Sequence, residues 1–451
     1  MTEKDILKQP ERDIVQYFKC LIPAIISFVI FYSTQLIDGY FVSRYIGANA
    51  LASLNIVSPM ISCILAFALM LVTGGMVRYN RCLGGNRIRR SNAIFTQTFI
   101  VIAVFGVICS TINILFTENV VKFLNANGEL IYYSKIYLRT LSFALTFQLL
   151  NLTFILFIKS AKHLKFVVSM ILANTVLNIF FNYIFVVICG FGMFGSAIST
   201  VICMSVGFVI FVTKTIKDKT LSIKFSPVLG SFKEMFFSLY NGGSNFILAT
   251  SIAITTITIN KLLIHTIGID GVAAYSAIDY TTFIAIIIFF GISDSTIQLI
   301  SASYGAKDYN RMHKYLLYSI LLTLTLSITF FVFASIWPEK LISIFLKRAD
   351  VNVINIASQV LHYYRFAFLI NGVNIVCIAF FTAIQVSYKG FVIALSRSLI
   401  CPLTFLYSFT KYIGYKGIFC AVPIAECCTL VISGIFFFNY RRLQKNIDFG
   451  E

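Results

Sequence analysis

Residues 92–116 read NAIFTQTFIVIAVFGVICSTINILF, 25 consecutive positions without an Asp, Glu, Lys or Arg. At about 1.5 Å of rise per residue, a helix of this length crosses the roughly 30 Å hydrocarbon core of a bilayer. Arg87, Arg89 and Arg90 stand just ahead of it, as expected of cations at a membrane face. The pattern recurs along the chain. Apolar stretches bounded by charge, near 19–42, 50–77, 92–116, 131–158, 166–189, 195–213, 236–260, 272–302, 315–336, 357–382, 391–410 and 417–440, give twelve predicted spans.

Composition agrees. Of 451 residues, 58% are apolar and 12% charged, with a mean hydropathy of +0.87, whereas a soluble domain carries about 25% charged residues. This excludes a soluble enzyme. The formal net charge of +18 would suggest nucleic acid in a soluble protein. Here its distribution explains it: the even-numbered connections and the two ends hold more than twice as many Lys and Arg as the odd-numbered connections. Both termini are therefore expected in the cytoplasm. The eleven cysteines fall mostly singly within apolar runs and form no CxxC, so they read as small apolar residues and not as a disulfide or metal framework.

The longest polar stretch between spans, Lys214 to Lys233, follows the sixth span and divides the chain into similar halves. Shifting the first half by 221 places Gly47 on Gly268, Ala52 on Ala273, Gly84 on Gly305 and Arg90 on Arg311. Gly192–Gly195 meets Gly414–Gly417 at 222, and Lys165 meets Lys389 at 224. Six helices per repeat is an even number, so the repeats share one orientation in the membrane. The expected fold is all-α and polytopic, with twelve transmembrane helices in two pseudo-symmetric six-helix lobes around a central cleft. The expected division is a cytoplasmic segment 1–18, a lobe 19–213, a cytoplasmic linker 214–235, a second lobe 236–440 and a cytoplasmic tail 441–451.

Carboxylates inside spans cost about 2.5–3.5 kcal/mol at a helix centre on insertion scales, so each needs a reason. Asp38, Asp279, Asp294 and Glu426 qualify. Asp38 lies near the end of the first span, after Tyr32 and Gln35; it reads either as a carrier of a proton or cation, or as a helix-end residue facing water. Asp279 and Asp294 are 15 apart, near one helix face at different depths. On the fifth span Asn174, Asn178 and Asn182 form one i, i+4 stripe, which either bonds neighbouring helices or offers its amides to a cavity and to Asp38, with Thr200 as a further member. The tenth span carries Arg365, Asn371 and Asn374, with no acid identifiable opposite them. His265 and Asp270, an H-x4-D pattern, flank a short turn and read as coincidence. No Walker-type glycine loop and no zinc-ligand cluster is present.

Several segments together resemble the multidrug and toxic compound extrusion (MATE) family, in its DinF/MepA-like branch, within the wider group that includes lipid-linked oligosaccharide flippases. They are Pro23 with Leu36-Ile37-Asp38-Gly39-Tyr40-Phe41-Val42-Ser43, Gly47 and Ala50-Leu51-Ala52; Gly195-Ser196-Ala197-Ile198-Ser199-Thr200; Val272-Ala273-Ala274-Tyr275; Ser301 with Tyr304-Gly305-Ala306; and Arg397 with Gly417-Ile418-Phe419 and Pro423. The resemblance implies two six-helix lobes and export of cationic or amphipathic compounds in exchange for protons or sodium. It maps cation coupling onto Asp38 with Asn178 and Thr200. Asn182 stands where such members usually carry a second carboxylate, Gln298 stands where a proline is common, and the seventh and tenth helices lack the acids of sodium-coupled NorM-like members.

The expectation is thus an antiporter and not an enzyme, multi-pass in the plasma (inner) membrane, monomeric, without cofactor or resident metal, and driven by protons or sodium. Its partners would be a small organic cation and membrane lipids, not nucleic acid. Coupling falls to Asp38, Asn178, Asn182 and Thr200. Substrate-cleft candidates are Tyr32, Gln35, Asn174, Asp279, Asp294, Arg365, Asn371, Asn374 and Glu426. The alternative is a flippase for a lipid-linked oligosaccharide or related precursor, which would want a basic cleft.

Overall fold

The computed structural model describes residues 10–124, 129–218, 221–227, 232–345 and 351–448. Every regular element among them is helical, as hydrocarbon requires, since a single segment can satisfy its own backbone N–H and C=O groups only as a helix. In chain order these are α1 (Pro10–Tyr45), α2 (Ala48–Gly84), α3 (Ile88–Leu115), α4 (Thr117–Phe123), α5 (Glu129–Ser160), α6 (Leu164–Asn182), α7 (Gly192–Lys217), α8 (Phe232–Thr266), α9 (Ile269–Gly305), α10 (Tyr309–Ile336), α11 (Pro338–Phe345), α12 (Val351–Tyr364), α13 (Phe366–Ala383), α14 (Ser387–Leu395), α15 (Cys401–Ile413) and α16 (Tyr415–Asp448). A π-helical turn, Tyr183–Ile188, continues α6, and another, Ser396–Ile400, joins α14 to α15. Twelve helical stretches among the described residues are long and apolar enough to span a membrane.

One prediction needs correction. The tenth span does not run unbroken through 357–382: α12 ends at Tyr364 and α13 begins at Phe366, with Arg365 at the break. Arg365 therefore lies at the end of the span Phe366–Ala383 and not inside it. Its guanidinium rests against the rings of Phe331 and Phe366, 5.4 and 5.5 Å from their centroids.

The duplication extends to backbone detail. The bounds of α2 and α9, and of α3 and α10, recur 221 positions apart, and the short helices α4 and α11 begin at Thr117 and Pro338, again 221 apart. Two pairs of non-glycine residues adopt the rare left-handed conformation at matching positions: Asn86 and Lys307 (φ 58° and 60°), and Lys162 and Gln385 (φ 66° and 62°). Such residues are uncommon singly, so their recurrence marks two helix-to-helix connections, each built once in either half of the chain.

The chain forms two compact units. One consists of Lys19–Gly242 and Ser301–Lys307. Here α2 meets α8 and α9 with backbones nearly touching: a Cβ at Gly74 would strike the Ser238 carbonyl, and one at Gly305 the Arg81 carbonyl. The extended segment after α7 lies along α3. Lys224 N–H donates to Asn92 Oδ1 (3.2 Å), Ser226 N–H donates to Thr96 Oγ1 (3.0 Å), Ile223 is fully buried, and Phe225 packs on Phe95 and Phe99. The other unit consists of Met1–Phe18, Gly243–Ile300 and Asp308–Glu451. In it the first turns of α1 join α10: Tyr17 donates its hydroxyl to Ser319 Oγ (3.0 Å), and Asp13 pairs with Arg311.

Candidate functional site

Asp38 is on α1, and the amide stripe is on α6. Their placement follows from helical spacing, because residues four apart share a face. Asn178 and Asn182 are both buried, and the Asn182 amide is the hub: its Nδ2 donates to Asp38 Oδ1 (2.9 Å), to the Asn178 carbonyl (3.0 Å) and to Asn178 Oδ1 (3.2 Å). Asn182 Oδ1 is buried with no hydrogen-bond partner, as is Asn174 Oδ1 two stripe positions back. Buried polar atoms are normally satisfied, so an unpaired carbonyl oxygen beside a carboxylate is a place that can accept from a proton-bearing group or coordinate a cation.

Sequence reading missed several neighbours. Tyr137 on α5 and Cys203 on α7 lie within electrostatic reach of Asp38, and Thr34 bonds Thr175 across α1 and α6 at 2.8 Å. Only the spacing of Thr34 and Asp38, one helical turn apart, could have signalled the last of these. The Thr200 hydroxyl donates back to the Ser196 carbonyl of its own helix at 3.4 Å. The side chains of Tyr32 and Gln35 lie outside the described residues.

A second polar cluster, in the other unit, gathers Asn371 and Asn374 of α13, Arg397 of the second π-helical turn and Glu426 of α16. Arg397 Nε pairs with Glu426 Oε1 at 2.9 Å, and Arg397 Nη2 donates to Asn371 Oδ1 at 2.6 Å. Asn374 Nδ2 donates to Glu426 Oε2 (2.7 Å) and to the Glu426 carbonyl (3.0 Å). The acid facing the amides of the tenth span, which the sequence did not reveal, is thus Glu426, and its cation is Arg397, not Arg365. Asp294 accepts from Gln298 Nε2 at 3.0 Å on its own helix. Asp279, half-buried on α9, lies in the electrostatic neighbourhood of Tyr275 and Tyr364. Among the described residues no group of three or more His, Cys, Asp or Glu is placed to hold a metal ion.

A family model described as MatE matches residues 23–184 and 244–407. The chain belongs to the MatE family. Similar to this MatE chain are the probable multidrug resistance protein YoeA of Bacillus subtilis (strain 168), 22% identical over 94% of this chain and 93% of the relative, and the multidrug export protein MepA of Staphylococcus haemolyticus (strain JCSC1435), 20% identical over 90% and 89%. A crystal structure of a MATE protein in the bent conformation superposes with a TM-score of 0.89 at 19% identity, covering 99% of both chains. The MatE chain thus shares that fold from end to end, as a multi-pass membrane protein.

Proposed function

We propose that the protein is a secondary active transporter that exports small organic, cationic or amphipathic compounds from the cell in exchange for protons or sodium ions. Both termini are placed in the cytoplasm by the Lys and Arg bias. The observation that carries this reading is the Asp38–Asn182–Asn178 cluster within two spanning helices. A carboxylate in that setting is expensive when charged and unaccompanied. Uptake of a proton or cation relieves the cost, and the unpaired Asn182 Oδ1 supplies a second oxygen for the incoming charge. The names of the relatives, a multidrug resistance protein and a multidrug export protein, support the same substrate class.

The coupling argument is one of differential affinity. A ligand shifts two conformations only by binding one better than the other. Asp38 on α1 and Asn178 and Asn182 on α6 would supply that difference: repacking of α1 against α6 changes how many oxygens face the bound charge. Asn182 holds and orients the carboxylate, and Asn178 orients Asn182. A flippase would need cations free to meet a pyrophosphate, whereas Arg397 is already taken up by Glu426 and Asn371. The test is efflux of a panel of fluorescent organic cations from proteoliposomes under separately imposed proton and sodium gradients. Export driven by one of the two supports the reading, and no gradient-dependent export opposes it.

A further inference from the structure

The two repeats share one interhelical bond and differ in what surrounds it. In the first, Asn151 on α5 donates to the Met204 carbonyl on α7 at 2.9 Å. In the second, Asn374 on α13, 223 positions later, donates to the Glu426 carbonyl on α16 at 3.0 Å. Glu426 stands 222 positions after Met204, so the same bond is built twice and one repeat has a carboxylate where the other has a thioether. Arg397 belongs to this change. It lies on the second repeat's counterpart of the helix that bears Asn174 and Asn178, and it alone supplies positive charge to Glu426 among the interactions described above.

The local backbone is shaped to present it. Pro402 has no N–H to bond the Ser398 carbonyl one turn back, and Thr255 of α8 donates its hydroxyl to that carbonyl at 2.9 Å instead. The turn just before is π-helical, Ser396–Ile400, a geometry that re-aims side chains and often marks functional positions. Arg397 leaves this turn with its side chain 9% exposed and meets Glu426, 5% exposed. Both Glu426 oxygens are engaged, Oε1 by Arg397 and Oε2 by Asn374. Asp38 differs: the partners recorded for its carboxylate are amides.

We propose that Arg397 is a tethered counter-cation: it occupies Glu426 permanently and so withholds the second repeat's buried carboxylate from mobile ions and cationic substrates, leaving Asp38 as the acid that exchanges positive charge. Arg397 acts through Glu426 and is a positioning residue that sets charge selectivity. A guanidinium suits this role because it stays protonated at any physiological pH and binds carboxylate in a fixed fork. The inference deepens the proposed export of cationic compounds and rests on that reading. Its test uses equilibrium binding without any gradient, so a failure of coupling at Asp38 leaves the comparison intact.

Binding of tetraphenylphosphonium to the purified full-length protein is measured by isothermal calorimetry for the wild type, Arg397→Gln, Glu426→Gln and the double variant. Arg397→Gln frees the carboxylate and is expected to bind the cation about tenfold more tightly, with the gain lost in the double variant. Glu426→Gln leaves the guanidinium uncompensated and is expected to bind tetraphenylphosphonium less tightly and tetraphenylborate more tightly than wild type. Wild-type cation affinity in Arg397→Gln, or a gain that persists in the double variant, overturns the proposal. Should Arg397→Gln not fold, unchanged preference between the two ions in Glu426→Gln overturns it equally.

Discussion

Asp13 and Arg311 form an ion pair 2.7 Å long with 8% and 7% of their side chains exposed, which ties the first turn of α1 to the first turn of α10 across 298 residues of chain. Lys314 adds a contact to Asp13 at 3.3 Å, and Gln16 accepts from Arg311 Nη2 at 3.3 Å. The pair shares its surroundings with Tyr17, Tyr315 and Ser319, so the start of α1 is held by charge, ring stacking and a hydroxyl together.

Breaking a buried pair from one side strands the other charge, at a cost of roughly 3–5 kcal/mol. Asp13→Ala is therefore expected to destabilise the protein by about 3 kcal/mol, while Asp13→Ala with Arg311→Met recovers a large part of that loss. Unfolding of the purified protein in detergent measures both. Equal destabilisation in the single and double variants would show that the pair is incidental.

Gly305 and Gly434 make a matched comparison. A Cβ on Gly305 would strike the Arg81 backbone, whereas one on Gly434 meets nothing within 4 Å. Gly305→Ala should cost about 1–3 kcal/mol through overpacking. Gly434→Ala should be neutral or stabilising by up to about 1 kcal/mol, since alanine is the better helix former. The difference in unfolding midpoint between the two variants reads this directly.

The segment 221–227 makes a proteolytic prediction. Lys224 is anchored through its backbone to Asn92, and neighbouring Ile223 is fully buried. Ile223→Ala removes an anchor worth about 2 kcal/mol or more, and is expected to speed tryptic cleavage after Lys224 severalfold without changing cleavage near the chain ends. Cleavage at the wild-type rate would mean that the strap is held elsewhere.

The spans were legible because hydrocarbon imposes an all-apolar, self-bonded segment, and 92–116 can be nothing else. Asn178, Asn182 and Asp38 were legible as a group because the four-residue spacing fixes a face and a carboxylate in lipid needs company. The break at Arg365 was hidden: α12 is apolar enough to extend the reading of α13, so composition shows a single run. The Arg397–Glu426 pair was hidden for a different reason. Its members are 29 residues apart on different helices, and only a π-helical turn and Pro402, whose combined effect periodicity does not report, bring them together. Thr200 illustrates the limit from the other side, since a hydroxyl in a helix finds its own backbone four residues back as readily as a neighbour.

Asn182 offers a gain-of-charge prediction. Its amide now donates to Asp38, so Asn182→Asp replaces a donor by a second carboxylate facing the first. Two acids in one site share or compete for positive charge. The variant should bind the coupling cation more tightly or shift the pH dependence of transport. No change in either would make the α6 stripe purely structural.

Efflux by Asp38→Asn in proteoliposomes bears most directly on the central claim, with proton and sodium gradients imposed separately and folding checked by size-exclusion chromatography. The account predicts a folded, monodisperse protein that no longer exports a fluorescent organic cation in response to the gradient that drives the wild type. Gradient-driven export at the wild-type rate would contradict it.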